Sequence, residues 1–324
     1  MIPTPWLAAT LLLAASSALA APLKVDVEVV GGDAADLTNR TEEVPVQTDS
    51  ADRMTVAVSV GGKGPYRFLV DTGSERTVIS RQLAQRLQLA QGRATILHSV
   101  MGANDVRTVF IPNLKVSGKT LSVVDAPALE ASNIGADGML GIDSLRSQRV
   151  LFDFKAKTMF ITPAARPVEK FDGETIVVRA RSRRGRLIFA DAKMGGRKVA
   201  VIVDTGSQVS IANMAMLRLM GKKAGTLPDT VTIESVTGEQ MEAQVARLAE
   251  LDLGGVKLTD LSVAFADAHV FKQLEMTEKP ALLLGMNAMK AFDQISIDFA
   301  AKKVRFVLPE TSMRDGVRMA ETRR

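Results

Sequence analysis

Alternating apolar and polar positions dominate the chain after residue 53, and they predict strands far more often than helices. In "MTVAVSVGGKGPYRFLV", Val56, Val58 and Val60 alternate up to a pair of glycines, after which the chain turns back as an apolar run. This pattern is typical of a hairpin whose second strand is buried. Helical spacing is confined to short segments, such as those that Ser80 and Asn213 open as predicted N-caps. We therefore predict a mostly β protein with short helices.

The same pattern occurs twice. "LIFADAKMGGRKVAVIV" repeats the hairpin, and both hairpins run into Asp-Thr-Gly-Ser, with the second aspartate 133 residues after the first (204 − 71 = 133). "SVMG" and "SVTG" follow in the two halves, then "GMLGID" and "LLLGMN", in which Asp143 and Asn287 are predicted to cap short helices. Alternating strands end each half. Landmarks that recur in the same order indicate an internal duplication.

The duplication sets the predicted organisation of the chain. The predicted segments are a signal peptide at 1–20, a lead-in at 21–53, a first lobe at 54–163, a linker at 164–174, a second lobe at 175–308 and a polar tail at 309–324. Within the lead-in, "KVDVEVV" alternates like a strand, and we expect it to pair across the lobes.

The N-terminus predicts export. An apolar run from Trp6 to about Leu13 precedes the small residues Ala18-Leu19-Ala20, which is the pattern of a cleaved signal peptide. No Lys or Arg precedes Lys24, so an uncleaved membrane anchor is the alternative. We expect an exported protein, periplasmic or secreted, and export of a chain without cysteine fits a bacterial periplasm better than a disulfide-rich secreted domain.

Composition excludes several chemistries. The absence of cysteine excludes disulfides, thiolate catalysis and cysteine metal sites, and two histidines, His98 and His269, poorly supply a metal cluster or a catalytic triad. We predict no cofactor and no metal. A net charge of +5 does not indicate nucleic acid as a partner. "RARSRRGR", at 179–186, is interpreted as a solvated hairpin face, with weak contact to an anionic membrane as the alternative.

The paired Asp-Thr-Gly-Ser turns, each followed downstream by an apolar-apolar-Gly segment, resemble those of the pepsin and retropepsin superfamily of aspartic proteases. The short lobes are most similar to bacterial single-chain retropepsin-like proteins, and the resemblance covers roughly Thr55 to Val307. It implies two similar β-barrel lobes related by a pseudo-twofold axis. A single Asp-Thr-Gly turn is a weak signal, whereas two in matched context are a strong one.

The resemblance also implies roles for individual residues. Asp71 and Asp204 form the catalytic dyad, in which two adjacent carboxylates share a proton and activate a water molecule. Support comes from both turns: glycine N–H groups that bond the carboxylates (Gly73, Gly206), threonine hydroxyls that join the lobes (Thr72, Thr205), and serine hydroxyls that bond the outer carboxylate oxygens (Ser74, Ser207). Glu75 is expected to pair with Arg76.

Two hairpins are predicted to close over substrate as flaps, and plain surface hairpins are the alternative. Their tips are Val100, Met101 and Gly102 in the first lobe and Val236, Thr237 and Gly238 in the second. His98, just before the first tip, is interpreted as an ordinary, partly exposed histidine.

The resemblance as a whole implies an aspartic endopeptidase that acts on peptide or protein substrates as a two-lobed monomer. Two alternatives remain open from sequence. The fold can serve as a peptide-binding module with little turnover. Each lobe can instead pair with its twin in another chain, which gives a homodimeric enzyme or a scaffold.

Overall fold

The computed structural model describes residues 26–29, 46–48, 54–116, 119–168, 171, 173–189, 191–221 and 229–309. The predicted signal peptide, most of the lead-in and nearly all of the polar tail lie outside the described residues, as do parts of the linker. In the described part of the chain, the helices are too short or too polar to span a membrane.

The first half of the chain forms a closed barrel. The strands of this half of the chain, six of which form the barrel, are β1 (Asp26–Val29), β2 (Val46–Thr48), β3 (Met54–Val60), β4 (Lys63–Val70), β5 (Val78–Ser80), β6 (Thr95–His98), β7 (Ala103–Val106), β8 (Thr108–Val116), β9 (Lys119–Leu129), β10 (Gly138–Leu140), β11 (Gln148–Asp153) and β12 (Thr158–Pro163). Its helices are α1 (Arg81–Arg86), α2 (Ala131–Ile134) and α3 (Ile142–Leu145). The barrel order is β3-β4-β10-β5-β9-β8, and it closes because β3 also pairs with β8.

The second half repeats this architecture. Its strands are β13 (Thr175–Arg183), β14 (Arg186–Phe189), β15 (Lys193–Met194), β16 (Arg197–Lys198), β17 (Ala200–Val203), β18 (Ser210–Ala212), β19 (Thr230–Glu234), β20 (Gln240–Asp252), β21 (Val256–Phe265), β22 (Ala281–Leu284), β23 (Gln294–Asp298) and β24 (Lys303–Val307). Its helices are α4 (Met214–Met220), α5 (His269–Gln273) and α6 (Met286–Met289). The order β14-β17-β22-β18-β21-β20-β15-β16 follows that of the first lobe, with β14 and β15 in the place of β3. The prediction of a mostly β protein with two similar lobes is confirmed.

A shared sheet joins the lobes. The strands that end the two halves pair through β11 and β23, and β13, the first strand of the second half, pairs with β24, which gives the order β12-β11-β23-β24-β13. Within it, Arg149 on β11 donates from Nη2 to Asp298 Oδ2 on β23 at 3.1 Å, and the two side chains are only 5% and 4% exposed. β1 pairs with β21, so the "KVDVEVV" strand joins the second lobe, as expected.

Local sequence explains the ends of the main helices. Ser80 Oγ accepts the N–H of Leu83 at 3.1 Å, and Asn213 Oδ1 accepts that of Met216 at 2.9 Å, which confirms both predicted N-caps. The glycine pairs at the tips of the β3–β4 and β15–β16 hairpins all have positive φ, which residues with a Cβ rarely adopt.

The predicted capping roles of Asp143 and Asn287 are wrong. Glycine occupies the N-cap of both α3 and α6, and each polar residue lies inside the first turn. The Asp143 carboxylate accepts the N–H and hydroxyl of Thr77, whereas Asn287 Oδ1 accepts those of Ser210. These side chains therefore tie each short helix to the strand that follows the Asp-Thr-Gly-Ser turn, because those strands lie within hydrogen-bond reach once the lobe has folded.

Candidate active site

The Asp-Thr-Gly-Ser turns follow the buried strands β4 and β17 and have nearly the same geometry. Asp71 Oδ1 accepts the backbone N–H groups of Gly73 and Ser74 at 2.8 and 3.0 Å. In the second turn, Asp204 Oδ1 accepts the two equivalent N–H groups at 3.0 and 3.2 Å. Each turn therefore fixes the orientation of its own carboxylate with main-chain donors.

The serine hydroxyls do not have the role that the resemblance implies. Ser74 Oγ donates to the carbonyl of Arg76 at 2.8 Å, and Ser207 Oγ donates to the carbonyl of Val209 at 2.7 Å. Each hydroxyl is committed to a main-chain acceptor two residues on, so it stabilises the turn and does not bond the outer carboxylate oxygen.

The threonines of the two turns join the lobes reciprocally. Thr72 Oγ1 donates to the carbonyl of Val203 at 2.9 Å and accepts the N–H of Thr205 at 3.1 Å. Thr205 Oγ1 in turn donates to the carbonyl of Val70 at 2.7 Å and accepts the N–H of Thr72 at 3.1 Å. All four bonds are buried, so this network fixes the position of one turn against the other.

Each aspartate lies against the glycine of the opposite turn. A Cβ added to Gly73 would lie 2.6 Å from Asp204 Cγ, and one added to Gly206 would collide in the same way with the carboxyl of Asp71. Both aspartates are buried. The two carboxyl groups, one from each lobe, therefore come together at the lobe interface.

The environment of the dyad favours a shared proton. Burial, and then the negative charge of Asp71, raise the pKa of Asp204 to about 7. The guanidinium of Arg186 and the N–H groups of the second turn act in the opposite direction without cancelling the rise. The pair therefore holds one proton at pH values below about 7.

A cavity of about 480 Å³ opens above the dyad. Both aspartates line it, together with apolar side chains that both lobes contribute: Val78, Ile96, Leu97, Val100, Met139, Val209, Ile211, Val231, Ile233, Val236, Val270 and Leu283. Polar and charged side chains of both lobes line the rest of the cavity, and a concave site that combines apolar walls with convergent polar groups is typical of a ligand-binding site.

Comparison with known families agrees with this geometry. A family model described as "Aspartyl protease" matches residues 54–144 and 190–288, so each match contains one turn. The chain belongs to the aspartyl protease family. A search of curated proteins gave no match.

The aspartyl protease lobes each contribute one of the predicted flap hairpins, β6–β7 and β19–β20. Val100 and Val236 line the cavity, whereas the tip residues Met101, Gly102, Thr237 and Gly238 are not among its lining residues. The hairpins touch: Ser99 Oγ of the first donates to Glu239 Oε2 of the second at 3.2 Å. The cavity is therefore covered on the side opposite the dyad.

Arg186 is a residue of this site that the sequence did not reveal. From the second lobe, its Nε donates to the carbonyl of Gly73 at 2.7 Å and its Nη1 to Glu75 Oε1 at 2.6 Å. Only 11% of the Arg186 side chain is exposed, so the interpretation of 179–186 as a solvated face is wrong at this position.

Glu75 pairs with Arg186 and not with Arg76, whose guanidinium donates to main-chain carbonyls of β9. One signal was present: Gln208 stands in the second turn where the first has Glu75.

Among the described residues, no group of three or more acidic or histidine side chains could hold a metal ion.

A single methyl group tests how tightly the dyad is packed. Gly73→Ala would place Cβ 2.6 Å from Asp204 Cγ, so the two carboxylates have to move apart. We expect any peptide-cleaving activity to fall at least about a hundredfold, because small displacements of reacting groups are costly. Steady-state kinetics measure this. Gly62→Ala is the control, since nothing lies within 4 Å of its Cβ and only local backbone strain results. Equal activity of the two variants would contradict the close packing.

Proposed function

We propose that the protein is an aspartic endopeptidase, which hydrolyses peptide bonds with a water molecule activated between Asp71 and Asp204. One observation carries the proposal: each lobe delivers one buried carboxyl group to the same point beneath a covered cavity. Two acids so close share a proton, which supplies a base and an acid in one site.

The proposed reaction needs nothing beyond this pair. The raised pKa of Asp204 favours it as the protonated member, with Asp71 as the base. Asp71 accepts a proton from water while the water oxygen bonds to the peptide carbonyl carbon, and Asp204 gives its proton to the carbonyl oxygen. The tetrahedral species then collapses: Asp71 passes its proton to the amide nitrogen, the C–N bond breaks, and Asp204 takes a proton back from a hydroxyl of the species, so that a carboxylic acid and an amine leave and the dyad again holds one proton.

The substrate is proposed to bind as an extended peptide between the dyad and the flaps. The apolar side chains on the cavity walls favour apolar substrate side chains next to the scissile bond. Export of the protein, to a periplasm or out of the cell, remains a proposal from the N-terminal sequence.

The lobe contacts favour action as a monomer over pairing with a second chain. The threonine network and the β11–β23 pairing both join the two lobes of one chain. A single chain therefore brings the two aspartates together, and a partner is not needed to complete the dyad. A peptide-binding module without turnover remains the second candidate from sequence.

A peptide library digested in H₂¹⁸O tests the proposal. We expect internal cleavage, with an ¹⁸O atom in each new carboxyl terminus, because solvent water supplies one oxygen of the carboxyl group that hydrolysis creates. Activity should fall as the pH rises above about 7, since Asp204 then loses the shared proton. Binding of a pepstatin-type inhibitor without cleavage of any peptide would support the binding module.

Arg186 offers a test through the pH profile. Arg186→Met removes a positive charge that lowers the pKa of Asp204, so that pKa should rise further. The alkaline limb of kcat should move upward by about one pH unit. Arg181→Met, a change at an exposed arginine on β13 of the same hairpin, should leave the profile unchanged. An unmoved limb in the Arg186 variant would show that this guanidinium does not act on the dyad.

A further inference from the structure

The only two histidines of the chain meet across the lobes. His98 is the last residue of β6, in the first flap, and His269 is the first residue of α5, in the second lobe. His98 Nδ1 lies 2.9 Å from His269 Nε2, and the rings stack with their centroids 5.2 Å apart. Gln273 Nε2 lies 3.3 Å from both of these nitrogens. The 171 positions between the histidines in sequence hid this contact.

This contact lies where the first flap docks on the second lobe. The carbonyl of Val100 accepts the N–H of His269 at 2.6 Å. The Val100 side chain packs against the apolar cluster that contains Val270 and Phe271 of α5. The flap is therefore held by a main-chain bond, by apolar packing and by the histidine pair.

An imidazole pair at this distance depends on protonation. A neutral imidazole has one donor and one acceptor nitrogen, so an N–H···N bond forms only while at least one of the two rings is neutral. When both rings are imidazolium cations, both nitrogens of each ring are donors, so two N–H groups and two positive charges face each other. The contact then becomes repulsive.

We propose that His98 and His269 are positioning residues which hold the first flap closed over the cavity while one ring is neutral, and release it when both are protonated. The consequence for turnover rests on the proposed peptidase function, whereas the movement of the flap does not. Acid conditions would open the cavity to substrate in the pH range in which the dyad keeps its proton.

Other charges around the two histidines set the pH range in which both become protonated. Lys272 on α5 opposes protonation of His269, and Glu239 on the second flap favours it. Burial, followed by the charges of His98 and Lys272, lowers the pKa of His269 below its ordinary value. Arg184, on the β13–β14 hairpin, contacts the histidine pair indirectly: its Nη1 donates to Oε1 of Gln273 at 3.4 Å. These positive neighbours place release in mildly acidic solution.

Glu239 does not itself respond in this range. Polar side chains around it, with Asn104 first, hold the pKa of Glu239 below its ordinary value, so the carboxylate stays charged well below neutral pH. Its bond to Ser99 therefore persists, and the change belongs to the histidines.

The second flap provides an internal comparison. Its Gly238 faces Asn133 of α2, and both histidines of the chain belong to the contact of the first flap. The docking of the second flap on the first lobe thus contains no histidine.

Hydrogen exchange of the full chain tests the proposal. We expect protection of amides in 95–106, corrected for intrinsic exchange, to fall about tenfold between about pH 8 and about pH 5, with a smaller change in 230–242. His98→Asn and His269→Gln place amide groups near the positions of the bonded nitrogens and cannot be protonated. In the double variant, protection of 95–106 should agree between the two pH values within about twofold.

Two results would overturn the proposal: a first flap whose protection does not depend on pH, or a double variant that keeps the full dependence. If the double variant does not fold, His98→Asn alone tests the proposal. Protection of 95–106 in this single variant should also become independent of pH, because one partner that stays neutral suffices to keep the contact. Exchange needs no substrate, so failure to cleave peptides would count against the peptidase function and leave the flap result standing.

Discussion

Replacement of Asp204 by Asn is expected to lower kcat for peptide cleavage by at least about 10³-fold, because an amide cannot share the proton of the dyad. The protein should nevertheless fold, since the amide keeps the size of the carboxyl and can accept the same N–H groups of the second turn. Stopped or discontinuous peptide assays measure the loss. Asp191→Asn, at an exposed position outside the cavity lining, should retain full activity.

The same variant should be more stable than the parent in alkaline solution. The folded-state pKa of Asp204, about 7, lies above its ordinary value of 3.8, so protonation stabilises the fold and stability is lost as pH rises through about 7. Asn cannot ionise and escapes this loss. We expect its Tm to exceed that of the parent by at least about 3 °C near pH 8 and to match it near pH 4. A variant that is inactive but also less stable at both pH values would point to a structural role for Asp204.

Replacement of Arg149 by Met is expected to cost about 3 kcal/mol of unfolding free energy, because it leaves the buried carboxylate of Asp298 without its cation. The guanidinium also donates to linker carbonyls, at Ala164, Arg166 and Pro167, so the connection between the lobes loosens as well. The effect is placed at the lower end of the usual range because Arg305, whose Nη1 has no hydrogen-bond partner among the described residues, is close enough to act on Asp298.

Urea unfolding of Arg149→Met, Asp298→Asn and the double variant measures this cost. The double variant should be more stable than Arg149→Met, since the amide no longer carries a buried charge while Oδ1 can still accept the N–H of Ala301. A loss below about 1 kcal/mol in Arg149→Met would mean that the ion pair contributes as little as an exposed one.

Local patterns were sufficient for most of the fold. Strand alternation, glycine pairs and capping residues act within a few positions of one another, so the hairpins and the N-caps at Ser80 and Asn213 could be read from the sequence. The duplication added long-range information, because a repeated Asp-Thr-Gly-Ser turn implies two equivalent lobes. The resemblance of these two turns to those of aspartic proteases then implied the pairing of Asp71 with Asp204.

Contacts that break the symmetry of the two halves could not be predicted. The bond of Arg186 to Glu75 and that of His98 to His269 join residues 111 and 171 positions apart, and neither pair has a counterpart in the other half of the sequence. Such contacts depend on the rotation of one lobe against the other, which side-chain periodicity does not encode. The prediction that Asp143 caps a helix was wrong for a related reason. Its place in the sequence suits a cap, but in the folded lobe its carboxylate accepts a hydrogen bond from Thr77.

The sheet shared by the lobes orders the events of biosynthesis. β11 is completed at Asp153, yet its partner β23 begins at Gln294, close to the C-terminal end of the described chain. A nascent chain on the ribosome therefore exposes an unpaired strand edge on its first lobe until the second lobe has been almost entirely translated. Asp71 likewise cannot pair with Asp204 until the second lobe has been synthesised and has folded against the first. The dyad is therefore not assembled while the chain is being translated.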